Sequence, residues 1–179
     1  MGDLFCLDSS SGRVVWQKNF VRDYGAEVPI YGYASPPLVD GDRLITMVGG
    51  QGQAVVALDR HTGQPLWKAA NASEPGYCAP LVRTLDGKRQ IVVWHANALA
   101  GLEPESGRLL WSVHHPLTAG MAIPTPAIEG RGTSVWQAAD ERTSYRTPAS
   151  PQRRDQLQRR GSQHLGEYGV CRLPASGEP

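Results

Sequence analysis

An eleven-residue segment recurs three times in this chain without gaps, and it restricts the fold more than any other feature. The first copy is Cys6-Leu7-Asp8-Ser9-Ser10-Ser11-Gly12-Arg13-Val14-Val15-Trp16, and the second is Ala57-Leu58-Asp59-Arg60-His61-Thr62-Gly63-Gln64-Pro65-Leu66-Trp67. The third is Gly101-Leu102-Glu103-Pro104-Glu105-Ser106-Gly107-Arg108-Leu109-Leu110-Trp111. Each has a small residue, Leu, an acid, two variable positions, Ser or Thr, Gly, three further positions and Trp. The three Trp residues stand 51 and 44 residues apart. Periods of about 40 to 50 residues belong to propeller blades or to helical solenoids. A helical solenoid needs apolar residues recurring every 3.6 positions, and this sequence has no such pattern.

A second signature falls between the Trp segments: Ser35-Pro36-Pro37-Leu38-Val39-Asp40-Gly41-Asp42, then Ala79-Pro80-Leu81-Val82, then Thr125-Pro126-Ala127-Ile128-Glu129-Gly130. Proline with an apolar pair therefore opens each unit. Apolar runs follow, Leu44 to Val48 before Gly49-Gly50-Gln51-Gly52, and Ile91 to Trp94 in the next unit, and they read as strands ending at turn residues. One unit predicts four short strands: Pro37 to Val39, Leu44 to Val48, Val55 to Leu58 and Leu66 to Lys68. The turns between them fall at Asp40-Gly41-Asp42, at Gly49 to Gly52 and at Arg60 to Gly63. Four antiparallel strands in a repeat of this length make a β-propeller blade.

The repeated residues have structural roles in this reading. A Ser/Thr-Gly step suits a tight turn, because Gly takes positive φ at no steric cost. Asp8, Asp59 and Glu103 open that turn, where a carboxylate can accept turn N–H groups without any catalytic purpose. Trp16, Trp67 and Trp111 are expected between neighbouring sheets, each indole N–H finding a carbonyl. Pro65 would remove a ladder hydrogen bond, which places it on an outer edge strand. The structural repeat positions are therefore Asp8, Gly12, Trp16, Asp59, Thr62, Gly63, Trp67, Glu103, Gly107 and Trp111.

The segment resembles the tryptophan-docking motif of the PQQ-like, quinoprotein-type β-propellers, Ala-x-Asp-x-x-Thr-Gly-x-x-x-Trp. The central copy matches at Ala57, Asp59, Thr62, Gly63 and Trp67. The first departs at Cys6 and Ser11, and the third at Gly101, Glu103 and Ser106. That family includes quinoprotein alcohol dehydrogenases and the non-enzymatic lipoprotein of the bacterial outer-membrane assembly machine. For an enzyme the resemblance would imply PQQ, calcium, an Asp base and adjacent cysteines. Cys6, Cys78 and Cys171 are far apart, and no carboxylate constellation beyond the turn acids suggests calcium. The expectation is a binding or scaffold propeller with no catalytic residue, no bound cofactor and no metal. Its alternative is a fragment of a PQQ-dependent alcohol or sugar dehydrogenase, with PQQ and calcium. The resemblance implies protein partners or the remainder of the propeller as partners, and a periplasmic or otherwise extracytoplasmic location.

The repeats supply the end of one blade, two full blades and the opening strand of a fourth within residues 1–130, an open all-β arc and thus a fragment of a longer product. From Arg131 the pattern breaks, and residues 131–179 hold eight Arg and no Lys. An irregular or disordered tail is expected there. A disordered linker, a basic nucleic-acid or partner-binding tail and an out-of-frame continuation of the fourth blade all compete, and the abrupt break favours a frame error or truncation.

Charge adds little: the formal net charge of +1 gives no reason to expect nucleic acid as a partner. No apolar run is long enough to span a bilayer, and the first residues do not spell a signal peptide. Asn71-Ala72-Ser73 fits a glycosylation triplet that arises readily by chance. His114 and His115, adjacent on a strand, face opposite sides and cannot easily share an ion. His95 reads as a packed or exposed residue, and Gly49 to Gly52 lacks the Lys and helix of a phosphate loop.

Overall fold

The computed structural model describes residues 1–115, 117, 121–129, 132–136 and 142–146. The first sheet is a hairpin of β1 (Asp3–Leu7) and β2 (Val14–Asn19). The second is β3 (Leu38–Asp40), β4 (Arg43–Met47), β5 (Val55–Asp59) and β6 (Pro65–Ala69), paired in that order. The third holds β7 (Leu81–Leu85), β8 (Lys88–His95), β9 (Ala98–Leu102) and β10 (Leu109–His114), again consecutive and antiparallel. Two four-stranded antiparallel meanders are what the repeat predicts, with strand ends moved by a residue or two. Pro65 stands on β6, the outer edge of its sheet.

A fourth sheet departs from the irregular tail expected from residue 131. β11 (Ala127–Glu129) pairs with β12 (Gly132–Trp136), which pairs with β13 (Arg142–Arg146). The runs Gly-Thr-Ser-Val-Trp and Arg-Thr-Ser-Tyr-Arg are polar, but they carry the β-branched and aromatic residues that suit a pleated surface. Absence of an apolar run therefore misled the reading there. The readings placed on residues 147–179 lie outside the described residues.

A second departure is the helix α1 (Phe20–Tyr24) straight after β2. Asn19 caps it by accepting the Arg22 N–H at 2.8 Å, and Gly25 ends it in the left-handed region at φ 63°. Five residues are too few for a 3.6-residue period to show in a sequence.

The sheets stack face to face, so their central strands are apolar on both sides. In the second sheet Leu44, Val48, Val56 and Leu58 pack toward the first sheet with Phe20, Leu4 and Trp16. Ile45, Met47, Val55 and Ala57 alternate with them and pack against Ile91, Val93, Ala100 and Leu102 of the third. On the far side of the third sheet Val92, Trp94 and Leu99 form another cluster with Cys78 and Ala122. Burying each Val, Leu or Ile side chain of this kind contributes roughly 1.5–3 kcal/mol. This is why β5 and β9 read as unbroken apolar runs rather than alternating ones. No helix among the described residues is long and apolar enough to cross a membrane.

Candidate functional site

The recurring segments are hairpins, and their cross-strand pairing explains the small residue that opens each. Cys6 faces Trp16, Ala57 faces Trp67 and Gly101 faces Trp111. A shift of register follows beside each pair. A large first residue would occupy the space of the indole opposite, and a Cβ on Gly101 would collide with the ring of Trp111.

Two of the indoles reach the next sheet. Trp16 Nε1–H donates to the Arg60 carbonyl at 2.9 Å, and Trp67 Nε1–H donates to the Pro104 carbonyl at 3.1 Å. Each carbonyl belongs to the residue just after the repeat acid of the following sheet. The rings lie on the turn glycines: a Cβ on Gly63 would stand 2.8 Å from Trp16 Cδ2, and one on Gly107 would stand 2.5 Å from Trp67 Cε3. Both glycines also have positive φ, 69° and 70°, so space and backbone independently demand glycine. Trp111 differs from the expected inter-sheet role. Its Nε1–H donates at 2.6 Å to Gln90 Oε1 of its own sheet, over Gly101.

The three acids close their own turns. Asp8 accepts N–H and hydroxyl groups of Ser10 and Ser11, and these hydroxyls, with the Ser11 N–H, hold its pKa down at about 2. Asp59 accepts the Thr62 hydroxyl and the N–H groups of His61 and Thr62, which keep its carboxyl below the usual range. Glu103, a methylene longer, takes Arg108 and the Ser106 hydroxyl, and Arg108 is the larger cause of its lowered pKa. No turn N–H reaches it, which corrects that part of the sequence reading.

A depressed folded-state pKa adds stability that is fully present above the unfolded value, near 4, and lost as pH falls through the folded one. The urea midpoint should therefore decline steadily from about pH 5 to about pH 2, and Asp8→Asn should flatten part of that slope. A midpoint indifferent to pH over this interval would show the turn acids to be unimportant.

An ion-pair cluster that the sequence did not reveal joins the second and third sheets. Asp40, with 6% of its side chain exposed, receives Arg89 Nη1 at 3.0 Å on Oδ2 and Arg89 Nη2 on Oδ1. Arg43 lies 3.9 Å from Asp40 and 3.8 Å from Glu105. Arg89 holds the Asp40 carboxyl below its ordinary pKa against the opposing effect of burial. Asp40 reads in the sequence as a turn residue, and nothing local couples it to a residue 49 positions away.

The remaining candidates are dispersed. Cys78 is buried, and desolvation pushes its thiol up to about 11, whereas Cys6 is half-buried in the first sheet. His95 is 4% exposed, and burial lowers its pKa to about 4. The ring of His115 lies 6.5 Å from that of Trp94. Gly49 to Gly52 sits in the connection between β4 and β5, where the Gly52 N–H donates to Asn71 Oδ1.

Comparison with known proteins agrees with this architecture. The crystal structure of BamB from Moraxella catarrhalis superposes with a TM-score of 0.58 at 18% identity, over 81% of this chain and 44% of that one. This chain thus spans less than half the length of that protein. A europium-containing methanol dehydrogenase gives a TM-score of 0.43 at 19% identity, over 63% of this chain and 21% of that one. No curated protein sequence matches significantly. The sequence profile described as outer membrane protein assembly factor BamB matches residues 1–121, and with it the stacked four-stranded sheets identify this chain as a member of that PQQ-like β-propeller family, carrying part of a ring.

Proposed function

We propose that the chain is a binding scaffold, a segment of a PQQ-like propeller that engages protein partners or further blades and performs no catalysis by its own residues. The observation that carries this reading is the bare face of the first sheet. Gly12 has the same positive φ as its two counterparts, 68°, yet nothing lies within 4 Å of a Cβ placed on it. Around it Phe5, Leu7, Val14 and Val15 are each more than half exposed. Trp16 on Gly63 and Trp67 on Gly107 are internal precedents for what such a face accepts: a sheet presenting an indole from its edge strand. In this reading the repeat positions are docking elements, Asp8, Thr62 and Glu103 shaping the turns that receive them. Membership of the BamB family supports outer membrane protein assembly as the process served and an extracytoplasmic, periplasmic place for it.

Calcium, which quinoprotein relatives imply together with PQQ, does not fit the turn acids. The turn acids are engaged by their own hydroxyl and N–H groups, and among the described residues no three His, Cys, Asp or Glu side chains gather to hold one ion.

Sedimentation of the purified chain with an outer-membrane assembly complex stripped of its BamB tests the proposal. Co-sedimentation is expected for the wild type, and its loss in Gly12→Trp, where the new ring fills the turn. Failure of the wild type to co-sediment, or dye-linked alcohol oxidation after addition of PQQ and calcium, overturns it.

A further inference from the structure

The joint of indole and turn is made twice inside this chain, and a receiving half and a giving half of it are left over. The receiving half is the turn of the first sheet. Arg60 and Pro104, the residues after the repeat acids Asp59 and Glu103, each accept an indole N–H through the carbonyl. Ser9 follows Asp8 in the same way, and no hydrogen bond among the described residues ends on its carbonyl. Beside it Phe5 and Leu7 are 51% and 54% exposed, whereas their counterparts in the repeat, Val56 and Leu58 in the second sheet and Ala100 and Leu102 in the third, are 1% exposed or less. A face that is core in two units and bare in the third is built for a covering sheet.

The giving half is Trp111. Trp16 and Trp67 lean across to the next sheet, and the residues opposite them in the ladder, Cys6 and Ala57, carry a Cβ. Trp111 instead lies on Gly101, where a Cβ would collide with Nε1, and donates to Gln90 Oε1 at 2.6 Å. Gln90 is itself buried and tied to the Leu85 carbonyl at 3.4 Å. Glycine at 101 thus gives the third indole a resting place on its own sheet, with its N–H satisfied while no turn receives the ring. β11, β12 and β13 correspond to the first three strands of a unit, and the receiving turn follows the third strand, so no counterpart of that turn falls among the described residues of the fourth sheet.

We infer that two copies of this chain associate head to tail, Trp111 of one copy seating on Gly12 of the other with its N–H on the Ser9 carbonyl. β11 and β12 then supply the first two strands of a shared unit and β1 and β2 of the second copy its third and fourth, β1 standing where β13 stands in the single chain. The occupant is a second copy because donor and receiver carry the same repeat and the chain already joins them twice. The chain also spans 44% of the BamB on which it superposes, so two copies approach the length of one such protein. The two contacting surfaces differ, which makes the contact heterologous. This identification rests on the docking role proposed above and names its partner.

Sedimentation velocity of the full chain tests it. The wild type should sediment at the mass of two or more chains, with a Kd on the order of micromolar. Gly12→Trp blocks the receiver and Trp111→Ala removes the donor, so each variant alone should sediment as a monomer. Mixed in equal amounts they should form a dimer and nothing larger, since one intact donor meets one intact receiver, and this restoration also shows that both variants are folded. A wild type still monomeric at about 100 µM, association of either variant by itself, or a mixture that stays monomeric overturns the inference. A monomeric wild type that still co-sediments with the assembly complex strikes this inference alone, whereas self-association without co-sedimentation strikes only the assembly role.

Discussion

Replacing Gly107 with alanine is expected to destabilise the chain by about 2–4 kcal/mol, against about 1 kcal/mol for the same change at Gly12. The two positions are equivalent in the repeat and have nearly the same backbone, φ 70° and 68°. Placing a Cβ in the left-handed region costs roughly 1–2 kcal/mol, partly offset by the narrower unfolded ensemble of alanine. That contribution is common to both. Only Gly107 has an indole upon it, 2.5 Å from where the Cβ would stand, and making room there carries the further roughly 1–3 kcal/mol of an overpacked core. The difference between the two variants, measured by urea unfolding at constant pH, thus isolates the contact of Trp67 with the next sheet. Equal losses at both positions would show that this contact has no energetic weight.

Trp67→Ala should cost about 3–5 kcal/mol, the largest effect expected of any single change in the repeat. The ring is half-buried against the second core cluster, lies on Gly107 and donates to Pro104 O at 3.1 Å. Removing it opens a space between two sheets that alanine cannot fill, and the surrounding strands, each held in a ladder, relax only partly. Trp67→Phe retains most of the packing and loses the hydrogen bond, so about 1–2 kcal/mol is expected. The graded pair separates ring from N–H. A loss below about 1 kcal/mol for Trp67→Ala, read from the same urea curves, would contradict a role in joining the sheets.

The parts of this fold that were legible in the sequence are those governed by neighbours along the chain. Apolar runs marked β4, β5 and β8, the first ending at glycines, because a strand buried on both faces has apolar residues at successive positions. The Asp-x-x-Thr-Gly spelling marked a turn, because carboxylate, hydroxyl and positive φ meet within five residues. Pro65 marked an edge, because its missing N–H is tolerated only there. Weak local signals failed: α1 is too short for a helical period, and β12 and β13 are too polar to stand out. At Glu103 the extra methylene redirected the carboxylate from the turn N–H groups to Arg108 and Ser106.

Tertiary structure alone decided which groups meet across sheets. The repeat foretold an indole in every unit, but only the stacking showed Trp16 reaching Arg60 and Trp67 reaching Pro104, while Trp111 turns back to Gln90. Likewise Asp40 and Arg89 carry no mutual mark in sequence. Periodicity records which face of a strand is buried. It does not record what lies against that face, because the partner comes from a different turn of the repeat and is selected by shape and hydrogen bonding once the sheets have stacked.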